Sequence, residues 1–165
     1  RWSPANCPGG PLTQLGIHHV DTLLYLMGPA AQVSAWQRRL AVAAAIPDVS
    51  STLIEFESGA LGYLGAHYAV QNTRYLFVLG TEANVRWDRA LGLVLESESG
   101  RESIALDEND TIQEDIDEFA QCIATDRKPE LGGHEALAAI AVIEAAVLSN
   151  QRGRPVTIAE TGGRS

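Results

Sequence analysis

The residues best suited to chemistry lie close together near the start of the chain, in the stretch Gln14-Leu15-Gly16-Ile17-His18-His19-Val20-Asp21. On a helix, side chains at i, i+4, i+7 and i+11 share one face, so Gln14, His18, Asp21 and Tyr25 form a single polar stripe. His19 falls about 100° round from His18, so the two adjacent histidines do not converge on one point. All four residues of the stripe can donate or accept a hydrogen bond. Histidine is the residue type whose ordinary pKa lies nearest neutrality, which suits proton transfer. Spacing alone leaves two readings open. The stripe is either one wall of a site for a small polar ligand, or a set of structural polar residues facing water.

Other chemistries find less support. Zinc sites favour two histidines at i and i+4 with a further ligand nearby, and His-His-Val-Asp lacks that spacing. His67 and His134 fall on other elements, so no metal site is expected. There is no G-x-S-x-G elbow and no flanked cysteine for a nucleophile. The chain also contains no G-x-G-x-x-G, so it has no dinucleotide-binding half of its own. Gly80-Thr81-Glu82 reads as a turn between strands, and His134 as a residue at a helix start.

The stripe needs a helix to carry it, and that helix is clearly punctuated. Gly10 suits the N-cap and Pro11 the first helical position, where a missing N–H costs nothing. Gly28-Pro29 ends the helix. The Gly-Gly-Pro turn also offers a place where a ligand or cofactor could approach the backbone closely. Short β-branched and aromatic segments follow from Ala31 to Glu108, with turns expected at Glu57-Ser58-Gly59 and Ser99-Gly100. Leu53 opposes Ile54 and Phe56, and Tyr75, Phe77 and Leu79 oppose Leu76 and Val78. A sheet apolar on both faces is covered by its own helices on one side and by a partner on the other. Thr111-x-x-Glu114 resembles a capping box, and Ile112, Ile116, Phe119 and Ile123 recur as one buried stripe. A last helix is predicted from about His134 to Asn150, followed by a short strand in Pro155–Glu160. The order of helix, run of strands and helices predicts an α+β domain. Its expected core is a large open, predominantly antiparallel sheet with helices on one face and the other face free for oligomer contacts.

Bulk properties narrow the partners. A chain of 165 residues, 45% hydrophobic and 20% charged, has the profile of a folded domain. Its net charge of −9, without a basic stripe, argues against nucleic acid and anionic membranes. No apolar run reaches the ~18 residues of a membrane span, and no hydrophobic segment follows the first residues as a signal peptide would require. Cys7 and Cys122 lie far apart without metal-like spacing, so a disulfide framework is not expected and a reducing cytoplasm is the default location. The first residue is not methionine, which fits a piece of something longer.

The stretch Gly9-Gly10-Pro11 through Gly28 resembles the opening of the C-terminal domain in the Gfo/Idh/MocA family of NAD(P)-dependent oxidoreductases, with its Gly-Gly turn and Asp-x-x-x-His helix. The run from Leu76 to Trp87 is similar to the family's Gly-Thr-Glu strand turn. The run from Asp117 to Ile158 is similar to its closing helix pair and strand. The resemblance implies that residues 1–165 form a single substrate-binding and oligomerisation domain of a two-domain oxidoreductase. The N-terminal Rossmann half would hold NAD or NADP, and Arg1-Trp2 would be the tail of a strand joining the two halves. It further implies a dehydrogenase acting on a sugar, polyol or similar hydroxy compound, with His18 as the catalytic base and Gln14 and Asp21 lining the substrate. It also implies a homo-oligomer formed through the sheet face. The isolated chain would be inert. At Gln14 the sequence departs from the family, which often has aspartate there. Glutamine can orient an imidazole but cannot stabilise its protonated form as a carboxylate would. The competing reading is a non-catalytic ligand-binding or oligomerisation domain.

Overall fold

A computed structural model of the chain describes residues 3–71, 73–106 and 109–162. The expected strand tail at Arg1-Trp2 lies outside them. A π-helical turn, Leu12–Gly16, runs straight into α1, Ile17–Met27. Then come β1 (Ala30–Arg38), β2 (Val49–Phe56), β3 (Leu61–His67), β4 (Tyr75–Leu79), β5 (Ala83–Asp88), β6 (Gly92–Ser97) and β7 (Gly100–Ile104). Helices α2 (Thr111–Thr125) and α3 (Gly133–Arg152) follow, with β8 (Val156–Thr157) and a 3-10 turn, Ile158–Glu160, near the end. The α+β class is as expected. The strands, however, form two antiparallel four-stranded sheets in place of one large one, ordered β3-β2-β1-β8 and β4-β5-β6-β7. The chain correspondingly divides into two compact units, Arg1–Ala69 with Glu130–Ser165, and Val70–Pro129.

In the first unit, strand alternation separates two faces. Ser50, Thr52, Ile54 and Phe56 of β2 point inward and are buried, while Leu53 and Glu55 point outward and are exposed. Small residues on α3, among them Ala139, Ala145 and Ala146, let that helix lie close on β1. Phe56, Leu12, Ile54, Val20, Val33 and Val142 form the centre of the core, and burying each such side chain contributes roughly 1.5–3 kcal/mol. The outer face of this sheet keeps Trp36, Leu53 and Tyr63 exposed. The sheet is thus apolar on both sides, as the alternation predicted.

Ser149 ties α3 to the sheet. Its buried Oγ accepts a hydrogen bond from the Ala35 N–H at 3.0 Å and donates to the Arg154 carbonyl at 2.8 Å. Ser149→Ala removes both bonds and strands a buried N–H. It is therefore expected to cost roughly 2–4 kcal/mol in urea unfolding; a loss under about 1 kcal/mol would show that the hydroxyl is dispensable.

In the second unit, β4 to β7 form a meander. Gly80 N–H closes the first turn onto the Ala83 carbonyl at 3.1 Å, and Gly100, with φ 127°, closes the last. Tyr75, Phe77 and Leu79 share one exposed face of β4. Two local expectations change in α2. The N-cap is Asp110, one residue before the predicted Thr111, and its side chain accepts from the N–H groups of Ile112 and Gln113. The stripe of Ile112, Ile116, Phe119 and Ile123 is exposed, not buried. The periodicity made the helix amphipathic, but burial also needs a partner surface, and periodicity carries no information about one.

Both cysteines are free and buried. Among the described residues no helix is long and apolar enough to cross a membrane.

Candidate functional site

The helix that carries the polar stripe starts as predicted but is wound differently. The Gly10 carbonyl accepts from the N–H groups of Thr13 and Gln14 at 3.1 and 3.2 Å, and Gly28, with φ 85°, closes the far end. Residues 12–16 are π-helical. Such turns bond i to i+5, so the neighbours one turn above Gln14 are both His18 and His19. Past this turn the stripe follows the ordinary helical wheel. Gln14, His18 and Tyr25 are exposed, and Asp21 is half-buried beside them. His19 is half-buried on the adjoining face. Among the described residues the imidazole of His18 has no protein hydrogen-bond partner, which leaves both ring nitrogens available to a ligand.

The structure adds Tyr68, a residue that local spacing did not single out. Leu64 and Ala66 of β3 point inward, and Tyr68, two residues on, continues along that side. The helix packs on this strand at Gly16: a Cβ there would lie in ordinary contact with Ala66 Cβ, at 3.6 Å, and would crowd only Leu12 Cδ1 of its own turn, at 2.9 Å. The Tyr68 hydroxyl donates to Gln14 Oε1 at 2.6 Å. Burial, and the thiol of Cys7 beside it, push the Tyr68 hydroxyl pKa up. The phenol therefore stays protonated and remains a donor.

The other histidines are elsewhere. His67 continues the outward side of β3, near Tyr63 and Gly65. His134, on the first turn of α3, is almost fully exposed, 4.0 Å from Glu135. Among the described residues no group of three histidine, cysteine or acidic side chains is placed to hold a metal. In the second unit, an open cleft of about 260 Å³ between the turns at Gly80–Ala83 and Glu96–Glu98 contains acidic side chains and no histidine.

The Gly-Gly turn does not fit a dinucleotide. Gly9 N–H is taken by Thr13 Oγ1 at 3.2 Å, and Gly10 N–H by the Cys7 carbonyl at 3.1 Å. Gly10, with φ 56°, packs so tightly on the Pro47 carbonyl that any Cβ would collide with it. No backbone N–H of this turn is left to point at a phosphate, as such sites require. The glycines of this turn make room for the chain itself, and the turn offers no backbone donor to a phosphate. What the face offers is an exposed imidazole, a carboxamide held by a tyrosine and a carboxylate one turn further on. That set can bind and deprotonate a small hydroxy compound, provided another surface supplies the opposite wall.

Residues 1–158 match the family described as "Oxidoreductase family, C-terminal alpha/beta domain". The chain is 26% identical over 163 residues to the D-apiose dehydrogenase of Paraburkholderia graminis, covering 87% of this chain and 44% of that protein. Among solved structures it is similar to a candidate NADPH-dependent oxidoreductase of Desulfitobacterium hafniense, at 32% identity and a TM-score of 0.91. That similarity covers 96% of this chain and 51% of the other. It is also similar to the aldose-aldose oxidoreductase of Caulobacter crescentus complexed with glycerol, at 26% identity and a TM-score of 0.81, covering 95% and 50% of the two chains. The chain spans about half the length of these relatives.

Proposed function

The chain belongs to the C-terminal α/β domain family of the Gfo/Idh/MocA oxidoreductases, and from that membership we propose that it is the substrate-binding and catalytic half of an NAD(P)-dependent dehydrogenase acting on a sugar, polyol or similar hydroxy compound. The observation that carries the reading is the open polar face of α1, with the His18 imidazole exposed, and without a partner among the described residues, beside the Tyr68-held Gln14. The sugar-dehydrogenase relatives, including one that acts on D-apiose, support the substrate class. Residues 1–165 act as one functional domain, and the dinucleotide, NAD or NADP, is held by a preceding half. When bound, the nicotinamide supplies the hydride acceptor.

The part played by this chain is proton handling and orientation. His18 accepts the substrate hydroxyl proton on a ring nitrogen as the C–H bond of the same carbon breaks. Gln14 binds the substrate one turn earlier. Asp21, half-buried one turn later, lines the substrate on the same face. The exposed outer face of the first sheet, with Trp36, Leu53 and Tyr63, suits self-association. The same face is the best support for the second reading, an oligomerisation domain without chemistry.

The deciding experiment assays the full-length protein with NAD+ and with NADP+ against D-apiose, other aldoses and polyols, following the reduced nicotinamide. Turnover is expected on at least one of these compounds, and none from the 165-residue chain by itself. A full-length protein that binds the dinucleotide yet oxidises no hydroxy compound would leave the oligomerisation reading standing alone. Sedimentation of the same sample tests the sheet face, for which a strictly monomeric species is the adverse result.

A further inference from the structure

Gln14 is exposed, and an exposed glutamine normally rotates freely and offers either end of its carboxamide to a ligand. Here one end is already taken. Tyr68 approaches from just past the end of β3, 54 residues away in sequence, and donates its hydroxyl proton to Gln14 Oε1 at 2.6 Å. Its own position is fixed at the backbone, where the Tyr68 N–H donates to the Asp48 carbonyl at 3.0 Å. The carboxamide is planar with two ends, so a bond at Oε1 decides where Nε2 points. Among the described residues Nε2 has no protein partner. An aspartate at this position would present only acceptor oxygens, whereas this arrangement presents an N–H donor.

The geometry points to Tyr68 as the positioning residue of Gln14: it holds Oε1 so that Nε2 is offered, one helical turn before His18, as a fixed donor to an acceptor oxygen of the substrate, such as the ring oxygen of a cyclic sugar. This inference rests on the reading of the α1 face as the substrate wall. Burial and Cys7 keep the Tyr68 hydroxyl protonated, so the carboxamide stays oriented throughout the neutral and alkaline range in which a histidine base works.

Two measurements on the full-length protein test it. The first is kinetic, with whichever sugar the protein turns over. Tyr68→Phe releases the carboxamide and should raise KM about 3–10-fold, the value of one hydrogen bond, and by more than it lowers kcat. Gln14→Glu can still accept from Tyr68 but has no N–H to offer, and should raise KM at least as much. The double variant should be no worse than Gln14→Glu alone, because the two residues act as one unit. The second measurement needs no turnover. In protein labelled with 15N-glutamine, the Gln14 side-chain amide pair is assigned by its disappearance in Gln14→Glu. In Tyr68→Phe that pair should move to the shifts of a freely exposed glutamine. Unmoved Gln14 resonances in Tyr68→Phe, or an unchanged KM in an active enzyme, would overturn the role given to Tyr68. If no sugar is oxidised at all, the dehydrogenase reading fails, and the resonance measurement still decides for or against Tyr68.

Discussion

Replacing His18 with alanine in the full-length protein is expected to lower kcat by about 10²–10⁴-fold, the usual worth of a general base, with an unchanged melting temperature. The two halves of that expectation come from the same observation. The imidazole is exposed and has no protein hydrogen-bond partner among the described residues, so its loss disturbs no packing, and surface substitutions of this kind stay within about 0.5 kcal/mol. Because the ring is held by nothing else, its accepting nitrogen is available to the substrate. The contrast with His19, half-buried on the adjoining face, makes the test sharper. His19→Ala should change stability more than His18→Ala and kcat less. A His18→Ala enzyme within about threefold of the parent would remove the imidazole from the mechanism.

The second large effect concerns a residue far from the stripe in sequence. Asp48→Ala is expected to lower the melting temperature by roughly 5–10 °C and to weaken substrate binding as well. The buried carboxylate of Asp48 accepts from three successive backbone N–H groups, those of Leu40, Ala41 and Val42, at 2.8, 2.6 and 2.6 Å. These bonds close the loop between β1 and β2. The same loop supports the site twice: the Pro47 carbonyl packs against Gly10, and the Asp48 carbonyl holds the Tyr68 N–H. Loosening it should therefore reach Gln14 through Tyr68. The pH dependence has a defined sign. The hydrogen bonds from Val42, Ala41 and Leu40 lower the folded-state pKa of Asp48 below the ordinary value of about 3.9. Its contribution to stability is thus complete above that value and is lost as pH falls through the folded pKa. The gap in melting temperature between the parent and Asp48→Asn should accordingly be widest near neutrality and narrow below about pH 4. A gap that stays constant across that range would mean that the carboxylate charge is not what holds the loop.

Asp48 also marks where the sequence stops being informative. A single aspartate after a proline reads as an ordinary turn residue, because its partners are backbone groups that every residue possesses. The same holds for Ser149, whose hydroxyl meets Ala35 across 114 residues. The Tyr68–Gln14 bond likewise joins residues 54 apart. None of these has a local spacing signature. The π turn at Leu12–Gly16 was equally hidden. A wheel of constant pitch placed His18, Asp21 and Tyr25 correctly but could not show that Gln14 sits beneath both histidines.

Local steric rules acted within a few residues, and there the sequence by itself was decisive. Gly10-Pro11 and Gly28 bounded the first helix, the polar stripe fell on its open side, Gly59 and Gly100 took the positive φ their hairpins need, and the alternation along β2 sorted buried from exposed. Resemblance carried by motifs in chain order placed the chain in its family. Tertiary structure alone decided that the strands divide into two sheets. Each strand is apolar enough to pair with more than one neighbour, and periodicity does not say which. It also decided that the apolar stripe of α2 finds no cover within its own unit, and that Tyr68, held at its N–H by the Asp48 carbonyl, meets Gln14. Such contacts depend on where distant segments meet in space, and the residue types at either end do not record it.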